Sequence, residues 1–436
     1  MGDASDMITA GKQDIDLTGD ALPVLRTAVP GPASLAWLQR LEATECPGST
    51  VRRVLRDGRT RRPSILWSEA LGSNVADVDG NIYVDLCAGF GVASIGHRHP
   101  AVVTAGKAQL DRLPHAMGDA FADVRRVMLM EALSRLTGMP RVMLVTSGSE
   151  AVEVAMKTAV LATGRQTIVA FHGAYHGLSV APLAALGHQV EQRQGPFRAM
   201  LGGAVTLAPF GGALPDLSDV AAVLVEPVQG RGGMRAPPPG WLAGLHAAAR
   251  SAGALVIHDE IYCGLGRTGT LFAGSAELDS AGKPLSPDLL CVGKALGGGF
   301  PISACLGTDA AMATWASNPG ALHTQTFLGN PIGCAMALAS LDVITSEGLT
   351  ARAAEQGARW AEALAGVRGV RGVTGRGLML GVVVDDAPAV TARMLQRGWL
   401  VLPCGEHNEA IGLTPPLTIS PALLDGAVAA LAACIG

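Results

Sequence analysis

An α/β architecture is predicted for this chain: a parallel sheet covered by helices on both faces, with a smaller α+β domain beside it. Between about residue 100 and residue 310, short apolar runs alternate with helical periodicities, which is the pattern of successive strand and helix units. From Pro331 onward that alternation gives way to consecutive helices and a few isolated strand-like runs. A chain of 436 residues with 49% hydrophobic and 16% charged side chains can bury a large core, divided between two domains.

In chain order, Asn74 to Asp85 alternates around an Asp79-Gly80 turn, so residues 1–100 are expected to lend a hairpin to the smaller domain. Residues 101–330 form the larger domain, with seven strands at Arg141 to Thr146, Thr167 to Phe171, Ala204 to Leu207, Ala221 to Val225, Ala254 to His258, Leu289 to Val292 and Ser303 to Leu306. Between them, Ala151 to Ala162 places Val152, Ala155, Ala159 and Val160 on one helical face, and Trp241 to Ala252 follows a proline-rich entry. Residues 331–436 read as helices Ile332 to Thr345 and Ala351 to Leu364, a strand from Leu378 to Val384, a further helix, a strand from Leu400 to Leu402 and a closing helix from Pro421.

A net charge of -4 argues against a general nucleic-acid surface. Arg52, Arg53, Arg56, Arg59, Arg61 and Arg62 crowd one stretch, but no aromatic residues interleave to stack on bases, and a solvated loop is expected there. The eight cysteines form no Cys-x-x-Cys pair, so neither a disulfide framework nor a metal site is expected. The leader lacks a basic start followed by an apolar core, no stretch is long enough to span a bilayer, and Asp6 spoils a myristoylation motif at Gly2. The expectation is a cytoplasmic enzyme.

Lys294 is the most reactive-looking residue. It ends an apolar run and is followed by Gly297-Gly298-Gly299, where burial favours a neutral amine and the glycines leave room for a planar group. The other four lysines, Lys12, Lys107, Lys157 and Lys283, lie in a polar leader, on helical faces or in a turn. Schiff-base chemistry on a pyridine cofactor needs such a lysine, a carboxylate for the ring nitrogen, a phosphate cradle and a flat partner for the ring. Asp259 closes the strand candidate before Lys294, at the strand end where open sheets bind ligands. Ser147, Gly148 and Ser149, directly ahead of a helix, supply hydroxyls and backbone N–H groups for an anion. Tyr175, in the Phe171 to Gly177 turn, is the candidate to stack on the ring.

These residues resemble the class III (omega-type) aminotransferases, pyridoxal-phosphate enzymes of fold type I. The resemblance runs from about residue 70 to the end through Gly96-His97-Arg98-His99-Pro100, Ser147 to Ala151, Tyr175-His176-Gly177, Glu226 to Gly230, Asp259-Glu260-Ile261, Gly264 to Gly269, Lys294 and Thr326 to Pro331. It implies that Lys294 forms the Schiff base with pyridoxal 5'-phosphate and that Asp259 pairs with the pyridine nitrogen. It further implies that Ile261 packs beneath the ring and Tyr175 above it, that Gly148 and Ser149 hold the phosphate, and that Glu226 supports the cofactor. Thr326 resembles a residue lent across an interface to the neighbouring subunit's phosphate, which implies a homodimer.

Two departures bear on substrate. Many relatives carry a glutamate after the Gln-Gly of the Glu-Pro motif and an arginine just before the later Pro-Pro; here these positions are Arg231 and Gly412. Tyr262 also replaces a glutamine often found beside the cofactor hydroxyl. Arg231 could bind a carboxylate from a new direction, Glu406 could meet a cationic group, and Phe90 joins them as a candidate substrate contact.

Among rival readings, Gly264 to Gly269 satisfies a dinucleotide fingerprint, yet it does not join a strand directly to a helix. A non-catalytic binding protein needs neither Lys294 nor Asp259. A racemase, epimerase or aminomutase on the same fold shares the first proton transfer and differs only in where that proton returns. The expected activity is ping-pong transfer of an amino group between an amine or amino acid and an oxo acid or aldehyde.

Overall fold

The computed structural model describes residues 17–49, 55–57, 60–62, 64–317 and 320–435. Gly2, Asp6, Lys12, Arg52, Arg53 and Arg59 lie outside them. Helix α1 (Pro32–Glu42) precedes an antiparallel hairpin of β1 (Leu55–Asp57) and β2 (Thr60–Arg62). The basic stretch read as a loop therefore contains a hairpin.

Strands β3 (Trp67–Leu71), β4 (Asn74–Asp77) and β5 (Ile82–Asp85) form the expected antiparallel hairpin and one further strand. Asp77 fixes the turn by accepting hydrogen bonds from the backbone N–H groups of Asp79 and Asn81 and from the Tyr83 hydroxyl.

Helices α2 (Pro100–Leu110) and α3 (Val124–Thr137) lead into the large sheet. Its strands are β6 (Arg141–Val145), β7 (Thr167–Phe171), β8 (Val205–Ala208), β9 (Val220–Val225), β10 (Leu255–Asp259), β11 (Leu289–Val292) and β12 (Ser303–Gly307), in the order β6-β12-β11-β10-β9-β7-β8. All seven expected strands join it. Six run parallel and β12 runs against both its neighbours, so the sheet is mostly parallel.

Helix α4 (Gly148–Thr163) follows β6, and α5 (Trp241–Ala252) follows β9. Successive strand residues point to opposite faces. Ile168, Ala170 and Leu224 pack with Val152 and Ala155 of α4, whereas Val169, Phe171, Val223 and Val225 pack with Leu242 and Leu245 of α5. Both faces are therefore dry, which explains why the strands read as continuous apolar runs. Each fully buried leucine or valine contributes about 1.5–3 kcal/mol.

Helices α6 (Pro331–Ser346) and α7 (Leu349–Ala365) follow the sheet. An unanticipated strand, β13 (Gly372–Arg376), pairs with β14 (Met379–Val383) across a tight turn. Its Thr-Gly-Arg residues carry too little apolar signal to read as a strand. Helix α8 (Ala387–Leu395) then leads to β15 (Trp399–Leu400), β16 (Leu402–Cys404), β17 (Ala410–Leu413) and α9 (Pro421–Ile435). The single strand expected from Leu400 to Leu402 is thus two. Strand β15 joins β5, whereas β16 joins a second sheet in the order β13-β14-β17-β16. Among the described residues, no single helix is long and apolar enough to cross a membrane.

Candidate active site

Most of the residues nominated from sequence converge beyond the carboxyl ends of the large sheet's parallel strands. Asp259 is the last residue of β10, and Lys294 lies just past β11. Tyr175 follows β7, Glu226 follows β9, and Gly148 follows β6. Phe90, Gly148, Ser149, Tyr175, Glu226, Arg231, Asp259, Ile261 and Lys294 line one cavity of about 480 Å³, together with His176, Tyr262 and Arg193.

Parallel pairing sets Asp259 beside Cys291, and the N–H of Glu260 donates to the Cys291 carbonyl, which fixes the aspartate relative to the Lys294 turn. Asp259 is 3% exposed. Its carboxylate accepts from His176 Nδ1 at 2.7 Å and from the Ile261 N–H at 3.1 Å. His176 Nε2 is buried and has no hydrogen-bond partner among the described residues. Sequence reading gave His176 no role, because the two residues are 83 positions apart and only the fold brings them together.

Lys294 has φ +37°, a left-handed conformation that costs a non-glycine residue about 1–3 kcal/mol. Its side chain keeps an open face on the cavity, and Nζ stands 4.5 Å from the centre of the Tyr262 ring. Burial pushes the ammonium below its usual range, and Arg231 adds to the effect while Asp259 and Glu226 oppose it. That direction favours the neutral amine, the form a nucleophile and proton acceptor uses.

Glu226 is 5% exposed and accepts from the N–H groups of Tyr175 and Gly230 at 3.0 and 3.2 Å. Burial, reinforced by Asp259, pushes its carboxyl up to about 7 against the pull of His176 and the two N–H donors. Tyr262 is held edge-on between two glycines. A Cβ at Gly91 would approach its ring to 2.6 Å, and one at Gly230 to 2.4 Å. Its hydroxyl is 3.1 Å from Thr414 Oγ1.

At the start of α4, Ser147 caps the helix by accepting from the Glu150 N–H, and Glu150 returns the bond to the Ser147 N–H, a capping box. Ser147 is consequently engaged in the cap and does not line the cavity. Gly148 and Ser149 do, and their N–H groups fall in the first turn, where no intrahelical acceptor exists. A Cβ at Gly148 would meet Ile261 at 2.9 Å, so the glycine keeps the cradle open.

Two other candidates stand elsewhere. Thr326 is exposed and outside the cavity. Glu406 is also outside it; its carboxylate accepts from the Gln189 N–H at 2.8 Å and lies 3.2 Å from His188 Nδ1. A role in meeting a cationic substrate group thus finds no support in its placement.

An anion cradle at a helix start, a buried carboxylate, a lysine of lowered proton affinity and an aromatic beside them suit pyridoxal phosphate, and the close fit of Gly148 against Ile261 leaves the cradle open. The Aminotransferase class-III family matches residues 57–435, and this chain belongs to it. Acetylornithine aminotransferase of Methanothermobacter thermautotrophicus is 36% identical over 86% of this chain and 95% of its own length. The enzyme of the same name from Corynebacterium efficiens is 40% identical over 84% of this chain and 90% of its own. Among solved structures, an ornithine aminotransferase from Toxoplasma gondii superposes with a TM-score of 0.78 at 29% identity, covering 92% of this chain and 97% of that one. An (S)-enantioselective omega-transaminase from Thermomicrobium roseum gives a TM-score of 0.80 at 27% identity, covering 92% and 98%. The chain is therefore a fold type I aminotransferase that uses pyridoxal 5'-phosphate and acts on amino acid and oxo acid substrates. The isomerase alternative is not favoured.

Proposed function

We propose that this cavity transfers amino groups in a ping-pong reaction with Lys294 as its covalent and proton-moving residue. The observation that carries this reading is the half-buried Lys294 lining one cavity with Asp259 and Glu226, with Asp259 itself held by His176. Pyridoxal phosphate, when bound, supplies a carbonyl that takes up amines and a ring that draws electron density from the substrate. Asp259 would pair with the ring nitrogen and keep it protonated. His176, donating from Nδ1, would hold that carboxylate oriented. Gly148 and Ser149 would hold the phosphate, Tyr175 and Ile261 would flank the ring, and Glu226 would fix the Tyr175 loop. Lys294 Nζ would accept the proton from the substrate's α carbon and carry it during the transfer. Residues 101–330 form the cofactor domain in this reading, and residues 1–100 and 331–436 share the smaller one.

A homodimer is part of the reading. Leu110, Met117, Phe121 and Val124 are 54%, 58%, 69% and 72% exposed along one stretch, more apolar surface than a lone subunit favours. Thr326 is exposed as well, available to a neighbouring subunit. The proposed location is the cytoplasm. Acetylornithine, which names several relatives, is the first donor to assay. The direct test is borohydride reduction of the holoenzyme followed by peptide mass spectrometry. The pyridoxyl group is expected on Lys294, and its recovery on another lysine would overturn the assignment.

A further inference from the structure

We propose that Arg231 is the carboxylate anchor of this cavity and that the cavity selects monocarboxylic amino acids and oxo acids whose remaining side chain is uncharged. The inference rests on the aminotransferase reading above and names the substrate class of that site.

Arg231 is placed firmly. It follows Gly230 in a turn where the N–H groups of Gly233 and Met234 donate to the Gly230 carbonyl at 3.2 and 3.1 Å. Its own carbonyl accepts from the Gly405 N–H at 2.9 Å. The side chain is half-buried in the cavity wall and has no hydrogen-bond or ion-pair partner among the described residues. A guanidinium carries five donors in a planar fork that matches a carboxylate bidentately. One left half-buried and unpaired beside a reactive amine is built to receive that group from a ligand. Its charge helps to lower the proton affinity of Lys294, so the two cationic groups share one field.

The rest of the cavity decides what accompanies the carboxylate. Glu226 and Asp259 are the acids lining it, and both are engaged: the first with the N–H groups of Tyr175 and Gly230, the second with His176 and Ile261. A substrate with a second ammonium would bring it toward Arg231 and Arg193 with no free carboxylate to meet it. An uncharged tail fares better, because Phe90 and Leu178 line the cavity while 55% and 46% exposed, offering apolar surface to a ligand. The Tyr262 ring, touching both Gly91 and Gly230, ties the Phe90 and Arg231 segments to one plate. Strand β17 adds no competing cation: a Cβ at Gly412 would already meet Met234 Cε at 2.8 Å and Cys404 Sγ at 3.3 Å.

The test has two arms on the holoenzyme and its R231Q and R231K variants. In the first, calorimetry measures binding of 4-methylpentanoate, an unreactive monocarboxylate. R231Q should weaken it at least about 10-fold, the loss expected for a charge-assisted pair. R231K should recover part of that, since a point charge replaces the fork. Equal binding by R231Q, or no measurable binding before substitution, overturns the anchor. In the second arm, absorbance of the bound cofactor follows its conversion by leucine, 3-methylbutylamine and lysine. Leucine should be preferred to both, and R231Q should collapse the ratio of leucine to 3-methylbutylamine at least about 10-fold. A preference for lysine overturns the uncharged-tail selection. Failure of every donor to convert the cofactor would sink the aminotransferase reading instead, and the calorimetric arm would still decide Arg231.

Discussion

Lys294→Ala removes both the amine that links to the cofactor and the group that moves the α proton. Turnover should fall at least about 1000-fold, measured as oxo acid formed per enzyme; activity within 10-fold of the unsubstituted protein would exclude the assigned role. Glu226 makes a pH-dependent statement. Its proton is held more tightly in the folded chain than in an unfolded one, because burial raises the carboxyl from 4.5 to about 7. The stability gained from that tighter binding is fully present below about pH 4.5 and is lost as pH rises through about 7. Glu226→Gln cannot ionise, so its melting temperature relative to the unsubstituted protein should improve between pH 5 and pH 8. A constant difference across that range would contradict the burial argument. Lys294 and Asp259 were legible in the sequence because each closes an apolar run, a place where charge is costly and needs a reason. His176 and Tyr262 were visible only as members of motifs, since their partners Asp259 and Gly91 lie far off in sequence and meet them through the sheet. Glu406 illustrates the converse, a carboxylate with no sequence mark of the Gln189 N–H that holds it.

At the scale of elements, α4 carries two separable demands. Ser147 serves the helix and Gly148 serves the cavity. Ser147→Ala removes the capping hydroxyl and should lower stability by about 1 kcal/mol, read from denaturant midpoints, with the cofactor's affinity changed less than the stability. Gly148→Ala presses a methyl against Ile261 at 2.9 Å and should weaken cofactor retention on dialysis more than it affects folding. A variant that keeps its cofactor like the unsubstituted protein would show that the glycine is not needed for close approach. The large sheet was readable because strands dry on both faces are unbroken apolar runs, and all seven appear near the expected bounds. The smaller sheets were less so. Strand β13 contains Thr374-Gly375-Arg376, and the turn at Val401 separates two strands assigned to different sheets, a distinction that local pattern cannot express.

For the whole molecule, the proposed dimer predicts a mass near twice 44.5 kDa in light scattering. Replacing Phe121 and Val124 with Asp should shift that mass toward one subunit, by putting charge into an apolar interface; an unchanged mass would place the interface elsewhere. The reactive side chains have a broader consequence. Gly148, Tyr175, Glu226, Asp259 and Lys294 stand at or just past the ends of five different strands, so no fragment of the chain brings them together. Catalysis should therefore vanish as a unit when denaturant dissolves the central sheet, and the chain should have no partly competent form surviving its loss.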